Sequence, residues 1–174
     1  EPNNAYGVFK FYSESYLNLF SNRYGIPVIH LRLASLVGIG LNSRITTRLL
    51  KDAFQKQKMT ISSNKEQFSY LAVEDAARII CNIASNLELA KHTVYNIGSF
   101  ESYSLKAVVE IILAIFKDKQ LPIPTINIKE SVGPQFNNSL NLDRMKQDFN
   151  LKEKISLKDS LNEILQNLMM EINE

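Results

Sequence analysis

Residues 27–33, Pro-Val-Ile-His-Leu-Arg-Leu, form a short, β-branched and nearly continuous apolar run. A strand covered on both faces of a parallel sheet has this composition. The run follows a segment of helical period. Phe9, Tyr12, Ser13, Tyr16, Leu17 and Phe20 recur at three- and four-residue spacing, so 6–23 reads as a helix, with Gly25 as its C-terminal stop.

The alternation continues. Gly38 and Gly40 mark a loop, and 44–56 is helical again. Residues 59–62 and 68–72 are short strand candidates around the polar turn 63–66. A helix over 73–86 carries Glu74 and Asp75 at its positive N-terminal end, where the helix dipole accounts for both. Residues 93–97 read as a strand closed by Gly98, and Ser104 caps an apolar helix to about residue 116. An extended stretch over 121–128, a Gly/Pro/Asn-rich loop and a short helix from Leu142 follow. Ser156 and Asp159 then form a variant capping box before a last helix over 157–172. Strands alternating with helices imply α/β layering.

With 174 residues, 45% of them apolar, there is material for one well-packed unit. The net charge is +2 and no Lys/Arg run is interleaved with aromatics, which argues against a nucleic-acid partner. No apolar run approaches the roughly 20 residues that span a bilayer, and Glu1-Pro-Asn-Asn4 does not read as a signal peptide. Cys81 is the only cysteine, so no intrachain disulfide forms and a reducing, cytoplasmic setting is expected. Its apolar surroundings predict a buried structural thiol. His30 reads as a hydrogen-bonded structural residue and His92 as solvent-exposed. No Cys/His/Asp spacing suits a metal.

Tyr6 and Lys10 lie four residues apart, on one face of the first helix. An ammonium beside a phenol favours the phenolate, which suits Tyr6 to general acid/base work at a hydroxyl or carbonyl carbon. The surroundings extend the pattern: Pro2-x-x-x-Tyr6-Gly7-x-x-Lys10-x-x-x-Glu14, then Leu31-Arg32 and Gly38. Further on come Tyr70-Leu-Ala-Val-Glu-Asp-Ala-Ala77, Val94-Tyr-Asn-Ile-Gly98 and Leu142-Asp-Arg144. In this order the motifs resemble the C-terminal part of the extended short-chain dehydrogenases/reductases, the sugar-nucleotide epimerase/dehydratase type, across nearly the whole chain.

The resemblance implies part of a Rossmann-type doubly wound sheet (1–38 and 73–100) plus a small α/β substrate-binding domain (39–72 and 101–174). It implies Tyr6 as proton donor/acceptor and Lys10 as the residue that holds the nicotinamide ribose. It places the Leu33 backbone by the nicotinamide carboxamide, and Ser35 and Phe68 at substrate-contacting positions. NAD (or NADP) would be the cofactor, a nucleotide sugar the substrate and a homodimer the assembly, with the surplus aromatics of the first helix at its interface. A hydride would pass between a sugar carbon and the cofactor while Tyr6 moves the hydroxyl proton. Epimerisation, dehydration and reduction all remain open.

The sequence departs from the family pattern in three ways. No Gly-rich strand-turn-helix is present to cradle a pyrophosphate, and the usual upstream Ser or Thr is missing. Phe68 stands where a phosphate-gripping arginine is usual. A second such arginine falls at Ser131 or Val132, with only Lys129 close. The chain is therefore expected to be a C-terminal portion, inactive alone. The alternative is a non-catalytic scaffold or binding module of the same fold.

Overall fold

The computed structural model describes residues 4–62, 66–130 and 137–171. Six helices and eight strands alternate along it: α1 (Ala5–Tyr24), β1 (His30–Leu33), β2 (Ser35–Val37), α2 (Ile45–Lys56), β3 (Lys58–Ser62), β4 (Gln67–Ala72) and α3 (Val73–Ser85). Then come β5 (Val94–Ile97), β6 (Ser102–Ser104), α4 (Leu105–Asp118), β7 (Thr125–Lys129), β8 (Asn137–Asn138), α5 (Asp143–Phe149) and α6 (Leu157–Glu171). The fold is α/β with parallel pairing, as the alternation implies. β1 runs parallel to β5, β2 to β4, β3 to β7, and β8 to β4; only β6 lies antiparallel to β4.

Local chemistry explains the element ends. Gly25 stops α1 at φ 66°, a left-handed conformation that costs glycine little. The Ala107 N–H donates to Ser104 Oγ at 3.1 Å and starts α4. Ser156 and Asp159 cap α6 reciprocally: the Asp159 N–H donates to Ser156 Oγ at 3.1 Å, and the Ser156 N–H to Asp159 Oδ2 at 3.3 Å. Gly98 closes β5 because there is no room for a side chain. A Cβ there would meet Ser69 Oγ at 2.8 Å and Ala34 Cβ at 3.1 Å.

Two apolar cores form. The larger joins α2, β3, α4 and α6, with Leu50, Ile112, Phe116 and Leu161 fully buried. The smaller gathers Leu71, Ile79, Tyr95, Met145 and Phe149, which seats α5 against β5 and α3. The Tyr95 hydroxyl crosses that interface and donates to Asp148 Oδ2 at 2.5 Å.

Several expectations need correcting. β1 is parallel but is not covered on both faces: only His30 is buried, while Arg32 and Leu33 are exposed. Its single described neighbour, β5, leaves one edge open. Residues 27–29 precede the strand rather than belonging to it. Cys81 is exposed, because α3 turns Ala76, Ile79 and Ile83 inward and Cys81 falls on the opposite face. β2 and β6 were not foreseen. Residues 63–65 of the expected polar turn lie outside the described residues.

Asp75 does more than face a helix dipole. It is 1% exposed; Arg78 donates to Oδ1 at 2.6 Å, and the N–H groups of Lys154 and Ile155 donate to Oδ2 at 2.7 and 2.8 Å. Burial pushes this carboxyl up, but the Ile155 N–H, Arg78 and the Lys154 N–H together hold it below its ordinary value. The contact ties the start of α3 to the segment before α6.

Candidate active site

Asn4 begins α1: its side chain accepts the Gly7 N–H at 2.8 Å. Over twenty residues the helix buries none of its side chains. Tyr6, Lys10, Glu14 and Asn18 are spaced by four, so they share one stripe. The lower half of that stripe docks on β1. Arg32 grips Glu14 with two parallel hydrogen bonds, Nε to Oε1 at 2.8 Å and Nη2 to Oε2 at 2.6 Å. Buried His30 meets Asn18 through Nε2 and Oδ1 at 2.8 Å, the structural role expected of it. The Arg32 hydrogen bond holds the Glu14 carboxyl below its ordinary value against a partly opposing desolvation, and the same bond raises Arg32.

Tyr6 and Lys10 make up the upper half of the stripe. Lys10 Nζ lies 5.6 Å from the centre of the Tyr6 ring, and Tyr6 is 72% exposed. Between α1 and β1 opens a hollow of about 1020 Å³ lined by Tyr6, Lys10, Phe11, Glu14, Arg32 and Leu33, among others. Three of the five expected site residues, Tyr6, Lys10 and Leu33, thus border one space.

Ser35 and Phe68 lie elsewhere. Ser35 is in β2 opposite Tyr70, and Phe68 is in β4 opposite Tyr103. Neither lines the hollow. Phe68 packs against the larger core, its ring 6.3 Å from that of Tyr70. Lys129 ends β7 and is exposed; Ser131 and Val132 lie outside the described residues. Glu14 and Arg32 were legible only as motif letters, although the four-residue stripe from Tyr6 through Glu14 signalled a shared face. His92 is exposed as expected. Among the described residues no group of three His, Cys, Asp or Glu could hold a metal, and no helix is long and apolar enough to cross a membrane.

Known proteins share this arrangement of elements. A structure of RMD from Pseudomonas aeruginosa complexed with NADPH superposes with a TM-score of 0.81 at 20% identity, over 98% of this chain and 58% of that one. The dTDP-glucose 4,6-dehydratase (rfbB) of Bacillus anthracis str. Ames, in complex with NAD, gives 0.80 at 20% identity, over 99% and 54%. At this identity the likeness speaks for the fold alone. In sequence, the uncharacterized UDP-glucose epimerase YtcB of Bacillus subtilis (strain 168) is 29% identical over 169 residues, 94% of this chain and 51% of that protein. The chain spans about half the length of such relatives. The family model described as "NAD dependent epimerase/dehydratase family" matches residues 1–98, the stretch that holds α1, β1, the hollow and β5. With more than half of its residues under that match, the chain belongs to the NAD-dependent epimerase/dehydratase family.

Proposed function

We propose that the chain is the C-terminal portion of an NAD-dependent sugar-nucleotide epimerase, dehydratase or reductase, with Tyr6 as acid/base and Lys10 as its helper. The observation that carries this reading is the Tyr6–Lys10 pair at the rim of the α1–β1 hollow, beside Leu33, in a chain of this family. The residues present suit the cofactor's nicotinamide end. Lys10 offers three N–H donors to a ribose diol. Leu33, 41% exposed, offers an apolar surface to a flat ring, and its backbone lies at the open edge of β1. When bound, NAD or NADP supplies the two-electron redox chemistry. Tyr6 takes the proton from a substrate hydroxyl at its phenol oxygen, or returns it. Lys10 orients the ribose and keeps a positive charge over the Tyr6 ring, 5.6 Å from its centre. Ser35 and Phe68 are assigned to the substrate side. The Rossmann-type part takes 1–38 and 73–100, and the substrate part 39–72 and 101–174.

In the whole enzyme, Tyr6→Phe is expected to lower kcat by about 10³-fold while leaving cofactor affinity unchanged. Turnover that survives the change removes Tyr6 from the mechanism. These 174 residues hold no Gly-rich pyrophosphate loop, which favours a non-catalytic role for the chain in isolation. Calorimetry showing sub-micromolar NAD binding to the chain alone would contradict that. We further assign the exposed aromatics of α1, Tyr16 at 68% and Phe9 at 71% among them, to a homodimer interface in the cytoplasm. Sedimentation as a monomer at micromolar concentration speaks against the dimer.

A further inference from the structure

A second cavity, of about 250 Å³, shares no lining residue with the α1–β1 hollow. Five pieces of chain meet at it: the end of β2, β4, the loop after β5 together with β6, residues 152–156 and the first turn of α6. Tyr70 lines it, 3% exposed, and its hydroxyl has no hydrogen-bond partner among the described residues. Burial pushes that phenol up to about 12, so it stays protonated at neutral pH. Glu153 also lines the cavity. Its Oε1 accepts the Phe100 N–H at 3.0 Å, while its Oε2 is buried without a partner among the described residues. Buried polar atoms are rarely left so, and each orphan points to something that completes it.

The charge around the cavity says what that is. The Tyr103 hydroxyl donates to the Glu101 carboxylate. Burial, then Glu101, then Glu153 disfavour ionisation of Tyr103, so two carboxylates act on one space. Neither is ion-paired among the described residues, and Lys152 and Lys154 are exposed at the rim. The N-terminus of α6 would favour an anion, but Ser156 and Asp159 already close it. Val37, Ala72 and Leu157 supply an apolar wall. The space is too large for a single ion and has the two-sided character of a site for an amphipathic cation.

We propose that this cavity binds a small primary alkylammonium compound. Its ammonium group donates to Glu153 Oε2 and the Tyr70 oxygen, and its alkyl stem lies against Val37, Ala72 and Leu157. The test is calorimetric titration of the protein with n-butylammonium, beside n-butanol and butyrate as probes of the same length. Saturable binding of n-butylammonium alone is expected. Glu153→Gln should weaken it about tenfold and Tyr70→Phe a few-fold, with far-UV circular dichroism unchanged. Equal binding of butanol, no binding at all, or unchanged affinity in Glu153→Gln overturns the proposal and leaves the cavity to water. Should Glu153→Gln fail to fold, unchanged affinity in Tyr70→Phe overturns it equally.

Discussion

Helices α1 and α4 are both rich in apolar residues, yet they are held in opposite ways. α4 buries Leu105, Val108, Val109, Ile112, Ile115 and Phe116 between α2, α6 and β3. α1 is six residues longer and buries none, and among the described residues it docks on β1 through the Glu14–Arg32 fork and the Asn18–His30 bond. An apolar period shows that a face is to be covered, but not by what. In α4 the cover is supplied by the same chain. The helix that carries the candidate catalytic pair is instead positioned by polar contacts with side chains on one face of β1.

The contrast can be broken, beginning with the largest effect. Ile112→Ala is expected to cost about 4 kcal/mol, read as a fall in the urea midpoint, because it leaves a void in the larger core. A loss below about 1 kcal/mol would mean that the larger core does not hold α4. Asp75→Asn comes next, at about 2–3 kcal/mol, since it weakens a buried carboxylate with three donors. The folded carboxyl lies below its ordinary value. The stability it contributes is therefore fully present above the unfolded value of about 4, and is lost as pH falls through the lower folded value. The parent should lose stability more steeply than Asp75→Asn below about pH 4. Parallel pH curves would remove Asp75 from this role.

The exposed fork gives a smaller effect. Arg32 and Glu14 side chains are 54% and 23% exposed, and solvent screening limits Arg32→Ala to about 0.5–1 kcal/mol. The informative measurement is hydrogen exchange: α1 amides should exchange faster and α4 amides should not change. Equal change in both helices would mean that α1 is not separately docked. Phe9→Ala should be smallest, below about 0.5 kcal/mol in dilute protein, because that side chain is 71% exposed. A cost like that of Ile112→Ala would erase the distinction between the two helices.

Much of the fold was legible where the signal is local. The start of α1 reads within one residue, and Gly25, Ser104 and Ser156–Asp159 cap their helices as their types foretell. Strands β2 and β6 have three residues each, too few to show a period. Cys81 sits in an apolar run, but helical phase turns it outward. The Tyr70–Glu153 cavity left no mark along the chain, because it is assembled from segments more than eighty residues apart.

The sequence by itself determined the family, the α/β alternation and the pairing of Tyr6 with Lys10 on one helix face. Each depends on spacing within a turn or on an ordered set of short motifs. Only the tertiary structure decided that Leu33 joins that pair while Ser35 and Phe68 lie on another sheet. It alone showed that Asp75 is a buried latch and that Tyr70 and Glu153 line one cavity. The physical reason is range. Caps and periods are settled by neighbours a few residues away, whereas burial and partnership are settled by whichever distant element arrives to cover the face.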